Sequence, residues 1–392
     1  MLLLLLFLTP TLAAPWPRHT IDNSSKGADG TRLADVNGDG LPDITTGWEQ
    51  GGLVRVYLNP GPVKAKEKWP AVSVGKAGSV EDAVFADLDN DGAMDVISSS
   101  EGKTRALWIH WAPKEKSRYL DSTAWKTEPL PASTNRMMWM FTLPMQIDGR
   151  HGIDLFAGGK GDRAELGWWE APRDARQLSE WQWHPLRPLG WLMSLVASDM
   201  DGDGDQDLVF TDRKQKRAGC FWLENPGPGP AQSKPWKEHL IGGAGKEVMF
   251  LHLADLDQDG LQDVLIATKP QTILFCRRQS KDGTRWETRD IPMPAHAGGA
   301  KGLNVGDLNL NGRLDVIYSC EGAKPPLQGV GWLAYQGPLT DNRWTPHPIS
   351  GADGVKHDLV QLIDLDGDGD LDVLTCEETT NLGVIWYENP TR

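Results

Sequence analysis

The chain has 392 residues, 24% of them charged and 39% hydrophobic, with a formal net charge of −14. This is globular composition, and the acidity argues against nucleic acid as a partner, since binding it needs a basic face that releases counterions. Length alone suggests two or three domains, but an internal repeat overrides that expectation because repeat folds grow as single bodies.

The first residues, MLLLLLFLTPTLAAP, form an apolar run too short to span a bilayer and end in small residues. Thr11-Leu-Ala13 offers a small-x-small cleavage motif, so residues 1–13 are expected to be a signal peptide, although no basic segment precedes the run. No later segment is apolar enough to cross a membrane. The mature chain, 14–392, is therefore expected to be exported, either secreted or held in the periplasm or at the cell surface.

A β-rich run opening on Trp16, PWPRHTID, comes next and leads to an acidic string, DVNGDGLPD, that ends at Asp43. Near-copies follow along the chain: DLDNDGAMD ending at Asp95, DMDGDGDQD at Asp207, DLDQDGLQD at Asp263, DLNLNGRLD at Asp315 and DLDGDGDLD at Asp372. The gap between Asp95 and Asp207 is double the usual interval, and a worn copy, QIDGRHGID, fills it and ends at Asp154. Seven units spaced by roughly 50–60 residues fall in the range of propeller blades.

Within each unit a short apolar run enters the acidic loop and a β-rich run leaves it, as in DVLIA or DVIY. A few polar or glycine residues separate this from a third run such as GCFWL or LGVIWY, often closed by Asn-Pro. A fourth run opens on tryptophan at Trp16, Trp69, Trp125, Trp183, Trp236, Trp286 and Trp344. Four short strands without helical periodicity describe a blade. The chain begins with a fourth-type strand and stops after a third-type strand at Asn389-Pro390. Pairing the two ends closes the ring and removes its open edge. The expected fold is all-β: a seven-bladed β-propeller of four-stranded blades, closed by the N-terminal strand on the last blade.

The pattern D-x-[DN]-x-[DN]-G-x-x-D between two strands, once per blade, resembles the FG-GAP/VCBS repeat family, to which the propeller of integrin α-subunits is related. The literal FG and GAP strings are missing, and the third unit is degenerate. The resemblance implies the propeller fold and calcium in the loops. It implies no single function, because such propellers serve as adhesion heads, stalks and scaffolds of carbohydrate-active lyases and dehydratases.

The loop chemistry agrees with calcium, a hard cation that takes six to eight oxygens, while the loop glycine allows the sharp turn. The expected ligands are Asp35, Asn37, Asp39 and Asp43 in blade one, and Asp87, Asp89, Asp91 and Asp95 in blade two. Blade four offers Asp199, Asp201, Asp203 and Asp207, and blade five Asp255, Asp257, Asp259 and Asp263. Blade six, with two carboxylates fewer, offers Asp307, Asn309, Asn311 and Asp315 and should bind most weakly. Blade seven offers Asp364, Asp366, Asp368 and Asp372, with the carbonyl of Asp370 as a fifth ligand. Blade three presents Gln146, Asp148, Arg150 and Asp154, so an Arg–Asp contact is expected in place of an ion. Six structural Ca²⁺ ions would cancel most of the formal charge.

The four cysteines, Cys220, Cys276, Cys320 and Cys376, occupy near-equivalent positions in neighbouring blades. Stacked sheets lie about 10 Å apart, whereas a disulfide needs Cα atoms within about 7 Å. Four buried free thiols are expected.

The acidic loops share one face of the disc, so a ligand is expected on the other face or in the mouth of its channel. Loops joining second to third strands bring Trp48, Glu49, Glu101, Lys160, Arg213, Lys269, Glu321, Glu377 and Glu378 to that face. Inter-blade loops bring Arg32, Glu81, Arg136, Trp139, Trp191, Lys246, Glu247, Lys301, Lys356 and His357. Of the 18 tryptophans, only Trp48, Trp139 and Trp191 fall outside the repeated positions and are candidate stacking platforms. The leading ligand residues are Trp48, Glu49, Arg136, Trp139, Trp191, Lys246, Lys301, Lys356 and His357. The expected activity is a calcium-stabilised binding module for glycan or protein, acting as a monomer. The alternative is a lyase or dehydratase in which a Lys or His removes a proton and Arg136 or a lysine stabilises the anion.

Overall fold

The computed structural model describes residues 14–229, 232–337 and 341–392; the expected signal peptide lies outside them. Among the described residues the strands form seven four-stranded antiparallel sheets with no α-helix. In six sheets the strand order follows the chain order, as in blade one: Ala28–Ala34, Asp43–Trp48, Leu53–Tyr57, Ala71–Lys76. In the seventh, Arg18–Asp22 lies against Gly383–Tyr387, which continues through Asp372–Glu377 to Gln361–Ile363. Arg18 faces Tyr387 and Thr20 faces Ile385, so the ring closes as the two chain ends implied.

Burial follows radial position. Second strands such as Asp43–Trp48, Asp263–Thr268 and Asp372–Glu377 are buried along their whole length, each lying between neighbouring blades. Fourth strands at the rim, such as Lys237–Gly242, are largely solvated.

Tryptophan links the blades through shared carbonyls. Trp168 of blade three and Trp236 of blade four both donate to Gln232 O, at 3.2 and 3.0 Å. Trp222 and Trp286 share Gly283 O at 3.1 and 2.7 Å, and Trp386 and Trp69 share Ala65 O at 3.2 and 3.1 Å. In each pair one indole comes from the third strand of one blade and the other from the next blade, so a buried polar atom is satisfied across the junction. Blade three departs from the expected register: Trp181, two residues before Trp183, makes the equivalent bond, to Ala175 O at 3.0 Å. Trp183 instead packs on Trp139 and Trp169. All four cysteines are free and buried.

Candidate functional site

Each acidic loop joins the outer end of a first strand to the start of a second. Its first aspartate turns inward on the loop: Asp35 accepts from the backbone N–H groups of Gly38, Asp39 and Gly40 at 2.7, 3.1 and 2.9 Å. The sixth residue needs left-handed backbone, and glycine supplies it with φ of 85° at Gly40 and 98° at Gly204. The ninth residue is buried, and in every blade but the sixth both its oxygens accept backbone N–H groups; in blade six only Asp315 Oδ2 does, from Leu308 N. Asp43 takes those of Val36 and Asn59 at 2.9 and 2.8 Å, and Asp372 those of Leu365 and Asn389 at 2.9 Å each. Asp154 of worn blade three makes the same pair of bonds, to Ile147 and Ala171. This clamp ties the loop to the end of the third strand independently of the other loop carboxylates, and it leaves each oxygen a further lone pair.

The remaining oxygens suit a hard cation. One oxygen from each of Asp87, Asp89 and Asp91 lies within 4.8 Å of the others, as do those of Asp199, Asp201 and Asp203, and of Asp255, Asp257 and Asp259. Oxygens of Asp205, Asn309, Asp366 and Asp370 are shielded from solvent with no donor. These loop residues therefore fit Ca²⁺ in donor type and spacing. Side-chain cations also reach the loops: Arg176 meets Asp89 at 2.5 Å, Arg277 grips Asp257 and Asp259, and Lys66 meets Asp366 at 3.2 Å. The sequence pattern pointed only to blade three, where Arg150 lies 2.7 Å from Asp148 and 3.1 Å from Glu170.

At the opposite face the channel mouth opens into a cavity of about 360 Å³. The β-bulges build much of it. The first two strands of blades two to six slip register at Glu81, Met140, Met193, Met249–Phe250 and Lys301–Gly302. Glu81, Met140, Met193, Phe250 and Lys301 all line the cavity. A bulge re-aims a side chain that a regular strand would place elsewhere, and here that device recurs around the ring. Met140, Phe141, Met193 and Phe250 give the cavity an apolar side, while second-to-third loops supply Glu49, Glu101, Lys160, Arg213, Glu321 and Glu378.

The charges interlock. Lys160 meets Glu101 and, at 3.3 Å, Glu81. Lys356 meets Glu378, Lys301 lies 2.5 Å from Asp358, and Arg213 lies 2.6 Å from Glu247 and 3.7 Å from Glu321. Burial, then the Asp358 carboxylate, pushes Asp29 well above the usual range. Burial opposes ionisation of Asp358, but the Lys301 ammonium overcomes it and holds Asp358 well below that range. Burial pushes Glu81 up to about 8, and burial with Glu378 raises Glu49. The mouth thus sets carboxyl groups whose ionisation burial opposes beside carboxylates and ammonium groups. Trp191 lines the same cavity with Lys160 and Arg213 each 4.5 Å from its ring. Its indole N–H is shielded from solvent and has no acceptor.

Four of the nine leading ligand residues meet here: Glu49, Trp191, Lys301 and Lys356. The others lie elsewhere. Trp48 and Trp139 are fully buried and donate to Tyr57 OH and Ser133 O, so they are core rather than platforms. His357 is buried beside Tyr387, and burial pushes it down to about 4. Lys246 is exposed, 3.8 Å from Asp290. Arg136 lines a separate basin and pairs with Glu165 at 2.9 Å. Lys269 lies behind the mouth on Glu321 at 2.7 Å, and Arg32 on buried Asp82 at 2.9 Å. Sequence reasoning missed Asp29, Gln50, Asp358 and the apolar side, whose Met140, Met193 and Phe250 look like core until a bulge turns them inward.

A family model for FG-GAP-like repeats matches residues 35–98 and 221–318, which carry acidic loops one, two, five and six. The repeats are FG-GAP-like. Together with the ring of blades, this is consistent with an FG-GAP/VCBS-like repeat propeller. No curated protein matches the chain. A crystal structure of BBS1N in complex with ARL6DN is similar over 97% of this chain and 98% of that one, at 8% identity and a TM-score of 0.53, and so shares the fold. A structure of an Agrocybe aegerita lectin recognising non-reducing terminal N-acetylglucosamine matches 84% of this chain and 81% of that one, at 16% identity and a TM-score of 0.46.

Proposed function

We propose that this propeller is an exported binding module that takes a hydroxyl-rich ligand, the end of a glycan, in the channel mouth, with Ca²⁺ in its acidic loops as structural support. The observation that carries this reading is the mouth cavity of about 360 Å³, where paired charges stand opposite an apolar side and the Trp191 N–H lacks an acceptor. Sugars present hydroxyls that donate and accept together, and apolar C–H faces that pack on aromatic rings. The carboxyl groups of Asp29, Glu81 and Asp358 and the ammonium groups of the lysines supply both kinds of partner.

Calcium, when bound, supplies a positive centre that holds the loop carboxylates together and pins the turn between the first two strands. The alternative of a lyase has less support. Arg136 and Lys356 line different cavities, and the Lys356, Lys301 and Lys160 ammonium groups sit on carboxylates, whereas a general base must be neutral.

The test is retention of the calcium-loaded protein on a panel of immobilised neutral and acidic polysaccharides, with ultraviolet absorbance followed for unsaturated products. Retention without product, lost in Trp191→Ala, is the expected result. New absorbance would establish the lyase, and absence of both signals would refute a glycan ligand.

A further inference from the structure

Beside the mouth, between the second-to-third loops of blades two and three, lies a second basin of about 310 Å³. Arg105, Arg136, Lys160 and Arg163 line it, with Asp162 the one carboxylate among its lining residues. In a chain of net charge −14 such a concentration of cations is out of character. Elsewhere on this face the cations are matched: Lys356 by Glu378, Lys301 by Asp358 and Lys269 by Glu321. In the basin the matching is incomplete: Lys160 pairs with Glu101 and Glu81 and Arg136 with Glu165, whereas Arg105 and Arg163 have no such partner. Arg105 bonds only to the carbonyl of Gly102 through its side chain, and Arg163, which is exposed, has no carboxylate partner among the described residues. Arg136 spends one nitrogen on Glu165, while its Nε is shielded from solvent with no acceptor. A buried donor left unpaired is costly, so an anion that accepts from it gains both charge and hydrogen bonds.

Lys160 is common to the walls of both cavities. The two cavities therefore adjoin at Lys160. Resting on the glycan reading above, we propose that the ligand is an acidic oligosaccharide: a neutral residue sits in the mouth, and the carboxylate or sulfate of its neighbour sits among Arg105, Arg136 and Arg163. Guanidinium forks match the paired oxygens of either anion, which is why arginine suits this basin better than lysine.

The experiment measures affinity by calorimetry at low and high salt for three probes: a neutral oligosaccharide, a uronate-containing one and a sulfated one. They are tested against the parent, Arg105→Ala/Arg163→Ala and Trp191→Ala. The parent should bind at least one acidic probe more tightly than the neutral one, with an advantage that shrinks in salt. The double arginine variant should lose about tenfold or more for that probe, since charge-assisted hydrogen bonds are removed, and keep its affinity for the neutral one. Arg163→Lys should restore only part of the loss. Uronate preferred over sulfate, or the reverse, identifies the anion. If the double variant binds acidic probes as the parent does while Trp191→Ala does not, the basin proposal is overturned and the mouth stands. Equal parent affinity for neutral and acidic probes overturns it likewise. If no probe binds any form, the glycan reading fails and this proposal fails with it.

Discussion

Blade three allows the aspartate clamp to be weighed apart from any metal, because its loop carries Gln146 where the other loops carry aspartate and Arg150 where they carry aspartate or asparagine. Asp154 is fully buried, with Oδ2 accepting from Ile147 N at 2.9 Å and Oδ1 from Ala171 N at 2.8 Å. Replacing it by alanine strands both donors in a place water does not reach. Each unsatisfied buried group costs about 1–3 kcal/mol, so Asp154→Ala should destabilise by about 2–6 kcal/mol. That is a large part of the stability of a typical protein, about 5–15 kcal/mol. Arg150→Ala is the comparison: its own side chain is exposed but Asp148 is buried, so it removes the cation beside a buried carboxylate while leaving both backbone donors of the clamp satisfied. The assay is urea unfolding followed by tryptophan fluorescence, once with calcium and once with chelator. The Asp154→Ala loss should be the same in both. A midpoint equal to that of the parent, or a loss seen only with calcium, would refute an ion-independent clamp.

Chelation of the wild type should lower its own urea midpoint, and native mass spectrometry should count one ion fewer in Asp366→Ala but no change in Asp148→Ala. Trp48→Ala should cost about 3–5 kcal/mol in denaturant because the ring is wholly buried, whereas Trp191→Ala should cost clearly less and act on ligand retention. His110 is buried between Ser98 and Thr127 at 2.9 Å each, and burial pushes it down to about 3 from an ordinary 6.5. The unfolded chain binds its proton first, so its contribution to stability is complete above about pH 6.5 and declines as pH falls, by about 2 kcal/mol at pH 5. His110→Asn should flatten that part of the stability–pH curve; an unchanged slope would show that the fold does not hold the imidazole's pKa below its ordinary value.

The ring and its closure were legible because their causes are local. Strand runs, turn residues and loop glycines each act over a few residues, and seven repetitions make the register plain. The same register explains why most tryptophans are structural, as the shared carbonyls of Gln232, Gly283 and Ala65 confirm. It erred by two residues in blade three, where Trp181 and Trp183 fit the pattern equally well by eye and only packing distinguishes them.

Sequence alone therefore determined the architecture, the acidic loops and the face opposite them, since spacing along the chain fixes all three. It did not determine who meets in the mouth. Trp48, Trp139 and Trp191 look alike on the page, yet two are sealed between blades and one lines the cavity. Glu81, Met140, Met193, Phe250 and Lys301 reach it because a bulge interrupts each first strand, and the cationic basin forms because the loops of blades two and three stand side by side. A bulge is a property of two paired strands, and a basin a property of two neighbouring blades, so the tertiary structure decided both.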